Sequence, residues 1–114
     1  MKIILSCNNP DTLKAEIIKA TDDNKLKTWE TRKTTDGDKV LTHSTASYQW
    51  EDEVLLVLEP HHTPYTPDTL DVKISWWKDH KVPTREVQSY IIGRFTEILL
   101  AHFSSRFSDF RIEK

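Results

Sequence analysis

The stretch LDVKISWWKDH, residues 70–80, has the alternating pattern of a strand with one covered face. Its apolar residues occupy every second position: Leu70, Val72, Ile74 and Trp76. Successive side chains of a strand point to opposite faces of the sheet. We therefore expect Trp76 to enter the core and Trp77 to lie on the other face, beside Lys73.

Four further segments carry strand patterns. Apolar or alternating runs predict strands at 2–7, at 26–34, from 40 to 50 (one long strand or two) and at 54–59. Asp36-Gly37 is the strongest short hairpin signal in the sequence, and it joins the second of these segments to the third. The proline-rich PHHTPYTPDT, residues 60–69, is predicted to be a loop.

Two segments have helical periodicity. Residues 10–23 follow a capping asparagine and begin with Pro10, which suits the first helical position. Residues 84–105 place apolar side chains three or four positions apart, as an amphipathic helix does. Gly93 in the middle of this helix costs about 1 kcal/mol relative to alanine, so we expect a close contact between helix and sheet there.

The resulting order, β-α-β-β-β-β-α with a possible short C-terminal strand, predicts a single α+β domain over residues 1–114. The simplest architecture is one mainly antiparallel sheet with both helices packed on one face, because each helix has a single apolar side to bury. The second face of the sheet is then left open.

Composition restricts the function classes. Lysine plus arginine number 16 against 18 for aspartate plus glutamate, so the net charge of −2 disfavours nucleic-acid binding. With 2 glycines, the chain cannot build a glycine-rich phosphate loop, and no cofactor is predicted. One cysteine, the absence of a signal-peptide pattern and the lack of a membrane-spanning run favour a cytoplasmic protein.

No catalytic or metal-binding residue is predicted. Cys7 is the last residue of the first predicted strand and alternates with Ile3 and Leu5 on the core side, which favours an inert buried thiol over a nucleophile. His61 and His62 lie in the proline-rich loop, where adjacent histidines rarely bind one ion because their side chains diverge. A solvated loop is the favoured interpretation, and metal binding there stays open.

The open face of the sheet is the candidate binding surface. Trp29 shares its side of the second strand with lysines and threonine, and His43 and Gln49 lie in the more polar row of the next. The predicted surface consists of Trp29, His43, Gln49, Lys73 and Trp77. Its tryptophans are either covered by the 60–69 loop, the C-terminal tail or a second copy of the chain, or they bind a partner.

A leading β-α unit, LKTWE, THSTASYQW and the ending GRFTEILLAHFSSRF together make the chain similar to small bacterial α+β proteins of unassigned function. The resemblance implies the fold described above. It implies no activity, cofactor or functional residue.

Three functions follow as hypotheses. The first is a non-catalytic module that binds a protein partner or forms a homodimer through the open face, since aromatic residues within a polar rim are typical of interfaces. The second is single-stranded nucleic-acid binding, in which Trp29 and Trp77 stack on bases. Three lysines would then contact phosphates: Lys27, Lys33 and Lys73. The third is a small hydrolase that uses His43 or the His61/His62 loop.

Overall fold

The computed structural model describes residues 1–26, 28–43, 54–64, 67–79 and 81–114. Within these ranges the elements follow the predicted order, with a short 3₁₀ turn and a sixth strand at the C-terminal end. The elements are β1 (Lys2–Ser6), α1 (Pro10–Asp22), β2 (Trp29–Lys33), β3 (Lys39–His43), β4 (Leu55–His61), β5 (Thr69–Ser75), α2 (Arg85–His102) and β6 (Asp109–Glu113).

The six strands form one antiparallel sheet in the order β2-β3-β4-β5-β1-β6. The first strand of the chain therefore lies inside the sheet, where it pairs with β5 on one side and with β6 on the other. The predicted α+β class, the antiparallel sheet, the two helices and the C-terminal strand are confirmed.

Side-chain caps begin both helices. The Asn9 side chain accepts a hydrogen bond from the Thr12 backbone N–H at 3.2 Å, and Pro10 occupies the first turn of α1. Thr84 caps α2 in the same way through the Val87 N–H, also at 3.2 Å. These caps satisfy backbone donors that a helix start would otherwise leave unpaired.

One core joins the two helices to a single side of the sheet, here called the helix-covered face. The buried residues of α1 and α2 pack in the same cluster as alternate residues of the central strands. The cluster includes Ile3, Leu5, Leu13, Ile17, Trp29, Leu56, Leu58, Leu70, Val72, Phe95 and Leu99. The opposite side carries the other alternate residues, and neither helix packs on it; it is called the open face.

Several strand limits differ from the sequence prediction; β2, for example, begins at Trp29 rather than at residue 26. β4 continues through Pro60 to His61, where a loop was predicted, and Pro60 is opposite Leu70 of β5. Leu41 is opposite Leu56, so the first residue of β3 is opposite Leu58. Pro60 therefore lies beyond the end of β3, where β4 resembles an edge strand, and edge strands tolerate proline. β5 ends at Ser75, before the two tryptophans that the alternating pattern assigned to this strand.

The expectation for Gly93 is wrong. Gly93 is exposed, and a Cβ atom built on it would meet nothing within 4 Å. A close contact between α2 and the sheet therefore does not account for this glycine, and its cost to the helix is not offset within the described structure.

Candidate functional site

Two residues of the predicted binding surface lie in the core instead. Trp29 is 2% exposed and His43 is 1% exposed. They are directly opposite each other on β2 and β3, with ring centroids 4.8 Å apart. The prediction that they share a face is right, but they share the helix-covered face, so their assignment to the open face is wrong.

The contact with α2 explains why Trp29 is buried. Phe95 of α2 meets the indole edge-on at a centroid distance of 5.1 Å, a favourable geometry for aromatic rings. The sequence did not reveal this burial, because the neighbours of Trp29 along β2 are polar. β2 lies at the edge of the sheet, and Trp29 is its most buried residue. On β3 both alternate rows are buried, so the pattern did not distinguish the two faces.

His43 is held as a neutral side chain. Burial, and secondarily the nearby positive charge of Arg94, lower the pKa of His43 below its usual value. Neither of its ring nitrogens has a hydrogen-bond partner in the described part of the chain. The ring packs between Trp29 and Tyr90, whose centroid is 6.0 Å away. A histidine sealed in this way has no access to a substrate.

The other predicted residues lie elsewhere. Lys73 is half-buried on the open face and donates a hydrogen bond to Glu59 at 3.0 Å. Trp77 is half-buried outside the core cluster, as expected. Gln49 lies outside the described residues. The structure therefore separates Trp29 and His43 from Lys73 and Trp77 by the thickness of the sheet.

Trp76 contradicts the alternation argument. It was predicted to enter the core, yet it is 37% exposed and absent from the core cluster. Because β5 ends at Ser75, the strand rule no longer sets the direction of the next two side chains. Both tryptophans instead line the same cavity.

This cavity, the tryptophan groove, lies at one end of the open face and has a volume of about 700 Å³. Its floor comes from three central strands, and its walls come from the β2–β3 turn and the segment after β5. Among the described residues, the groove is lined by Thr34, Thr35, Val40, Leu55, Val57, Ser75, Trp76, Trp77, Lys78 and Asp79. The floor is mainly aliphatic, while Lys78 and Asp79 add one charge of each sign at the rim.

Next to the groove the open face carries a network of charged side chains, the charged row. Lys2 of β1 contacts Asp71 of β5 at 3.2 Å, and Lys73 contacts Glu59 of β4 at 3.0 Å. The Nε2 atom of His61 lies 2.9 Å from a Glu59 oxygen and 3.5 Å from an Asp71 oxygen. Asp71 is 6% exposed, so the ammonium group of Lys2 compensates a carboxylate that is almost fully withdrawn from water.

His61 and His62 diverge, as the sequence suggested for adjacent histidines. His61 joins the charged row, whereas His62 bridges Asp68 at 2.9 Å and Asp11, at the start of α1, at 2.5 Å. Hydrogen bonds to the two carboxylates, first Asp68 and then Asp11, raise the pKa of His62 above its usual value. A ring engaged at both nitrogens is a poor general base.

Cys7 belongs to the core, where the sequence placed it with Ile3 and Leu5. Burial raises the pKa of its thiol, which opposes formation of a thiolate. Within the described ranges, no group of three histidine, cysteine or acidic side chains is arranged to hold a metal ion.

In the same part of the chain, no helix is both long and apolar enough to cross a bilayer. No protein-family model, curated protein or solved structure significantly matches this chain. The candidate site therefore depends on geometry, and the tryptophan groove is its strongest part.

Sequence reasoning missed most of the groove. Val40, Leu55 and Val57 form its floor, and Trp76 was assigned to the wrong environment. The available signal was the run VLLVLE, which is apolar in both alternate rows and therefore requires apolar surface on both faces of β4. Two adjacent tryptophans immediately after a strand end were the second signal.

Proposed function

We propose that this chain is a non-catalytic protein-binding module that receives a large apolar side chain of a protein partner in the tryptophan groove. The observation that carries this proposal is the pair Trp76 and Trp77 at an open groove with an aliphatic floor. Indole rings supply large contact area and a polar N–H, and tryptophan is enriched among residues that dominate binding energy.

The charges around the groove support a protein partner. Lys78 and Asp79 at the rim have opposite signs, and the charged row alternates Lys2, Lys73 and carboxylates. A surface of mixed sign complements the mixed charges of a protein surface better than the uniform negative charge of a nucleic acid. Burial of Trp29 also removes one of the two rings expected to stack on bases. The single buried thiol suits a cytoplasmic setting for this function.

The test begins with a random-peptide library selected against the purified chain. Peptides with a large apolar or aromatic residue should be selected, and their binding should shift the indole N–H signals of Trp76 and Trp77 in nitrogen–proton NMR spectra. The Trp29 signal should stay in place, because that ring is sealed under α2.

Substitutions then locate the binding energy. Trp76→Ala and Trp77→Ala should each weaken the selected peptides at least about tenfold, as loss of an anchoring aromatic does. Leu100→Ala is the matched control, since Leu100 is an exposed apolar residue of α2, at 54% exposure. Equal affinity for all three variants, or tighter binding of single-stranded oligonucleotides than of any peptide, would refute the proposal.

A further inference from the structure

The outer edge of β6 is the second unusual surface. In the described part of the chain β6 pairs with β1 alone, so its other edge presents backbone N–H and C=O groups without a neighbouring strand. Such an edge can add a strand from another chain. The ladder with β1 is continuous from Asp109 to Glu113, without the bulge or proline that often blocks edge pairing.

The opposite edge, β2, differs from β6. Helix α1 packs against β2, and its Asp22 accepts hydrogen bonds from Thr31 and from the neighbouring Lys39. β2 also ends in a lysine, Lys33, a residue that discourages edge pairing. β6 packs mainly on β1, and its Ile112 side chain is 45% exposed to solvent.

The side chains of β6 are compatible with a second copy of the same strand. When two copies of one strand pair antiparallel around a two-fold axis, the residue at the axis is opposite itself in the other copy. A residue one position before the axis is then opposite the residue one position after it. An axis at Arg111 would oppose like charges, arginine to arginine and Asp109 to Glu113. An axis at Ile112 opposes the two isoleucines and places Arg111 opposite Glu113 twice.

Arg111 and Glu113 are available for these contacts. Within one copy they approach only to 3.9 Å, and their side chains are 64% and 52% exposed. Glu113 also lies 3.9 Å from Lys2, again at the outer limit for an ion pair. Cross-strand pairing would give both side chains closer partners and would cover the exposed Ile112.

We propose that a second copy of this chain pairs antiparallel with the outer edge of β6 around a two-fold axis at Ile112. The two sheets then form one continuous twelve-stranded sheet, with Ile112 packed on its symmetry mate and Arg111–Glu113 pairs on both sides. The dimer leaves the tryptophan groove free, because that groove is formed by the β2–β3 turn, β3, β4 and the end of β5 with the segment after it, and β1 lies between these strands and β6.

Sedimentation equilibrium tests the proposal. The wild-type chain should be dimeric, and Ile112→Lys should shift it to monomer while its circular dichroism spectrum stays unchanged. Val82→Lys is the matched control, because Val82 is an exposed aliphatic residue outside β6, at 62% exposure, and this variant should stay dimeric. A monomeric wild type at about 100 µM, a concentration at which specific dimers associate, would overturn the proposal.

A charge exchange tests the axis. Arg111→Glu and Glu113→Arg should each weaken the dimer about tenfold, since each places two like-charged pairs across the axis. The double variant should restore most of the affinity. Absence of rescue would refute the Ile112 axis. Trp77→Ala should leave the dimer intact, whereas a dimer lost in Trp77→Ala and kept in Ile112→Lys would place the contact at the tryptophan groove and overturn the proposal.

Discussion

Trp29 and the pair Trp76–Trp77 show two opposite uses of tryptophan on the two faces of one sheet. Trp29 is surrounded by charged and polar neighbours in sequence, yet it is buried against Phe95 and His43. Trp76 continues an apolar row, yet it lies at an open groove. The position of a covering helix and the end of a strand, rather than sequence neighbours, determine which tryptophan becomes a core residue.

The largest expected effect separates these two environments directly. Trp29→Ala should lower the free energy of unfolding by about 3–5 kcal/mol, because it leaves a cavity between β2, β3 and α2. Urea denaturation followed by circular dichroism measures this loss. Phe95→Leu, which trims the ring that contacts Trp29, is a milder companion and should cost less. A loss below about 1 kcal/mol for Trp29→Ala would mean that Trp29 is not a core residue.

The second prediction concerns the pH dependence that His43 gives to the same buried site. The pKa of His43 is lowered in the folded chain, so the unfolded chain binds a proton first as the pH falls. Stability from His43 is complete above the unfolded pKa of about 6.5 and is lost below it, with a slope of at most about 1.4 kcal/mol per pH unit. Unfolding free energies measured from pH 8 to pH 5 check this.

His62 must be separated from this effect, because its pKa is shifted in the opposite direction. Its contribution is present at low pH and disappears as the pH rises through the raised folded value. The measurement is therefore best made in a His62→Gln background. If His43→Phe in that background leaves the slope between pH 7 and pH 5 unchanged, His43 is not the titrating group.

The sequence predicted those parts of the molecule that depend on local patterning. Caps, periodicity and the Asp36-Gly37 turn identified the elements, and Cys7 was assigned correctly because both of its strand neighbours, Ile3 and Leu5, are core residues. The assignment of side chains to sheet faces failed on β3. Leu41 and Val40 are both buried there, so the alternation does not show which row faces the helices. It failed at Trp76 because alternation does not reveal where a strand stops.

The candidate site was harder to predict than the fold for a related reason. The tryptophan groove combines residues from three strands, the β2–β3 turn and the segment after β5, and only their tertiary arrangement brings Val40 and Trp77 to the same groove. Lys73 was correctly expected on the open face, since its strand alternates cleanly. The charged row depends on the register of β1, β4 and β5, which the sequence does not specify.

A smaller effect is expected on the outer side of the helix that covers Trp29. Gly93→Ala should raise the free energy of unfolding by about 1 kcal/mol, because alanine restricts the unfolded chain and the added Cβ meets nothing within 4 Å. Thr96→Ala on the same helix is the control. It also introduces alanine into α2, but it removes a hydroxyl group instead of adding a methyl group. Destabilisation by Gly93→Ala would indicate that another surface packs against the outer side of α2. The helix would then be covered on both sides.

The smallest expected effect is at Trp76. Trp76→Ala should lower the free energy of unfolding by less than about 1 kcal/mol, as substitutions at exposed positions do, although it removes the same ring as Trp29→Ala. The physical reason is that its indole is partly exposed and lines the groove, so alanine leaves space open to water rather than a closed cavity. Denaturation of both variants under one set of conditions gives the difference directly. A loss as large as that of Trp29→Ala would mean that Trp76 is packed as tightly as a core residue, and the contrast between the two faces would be wrong.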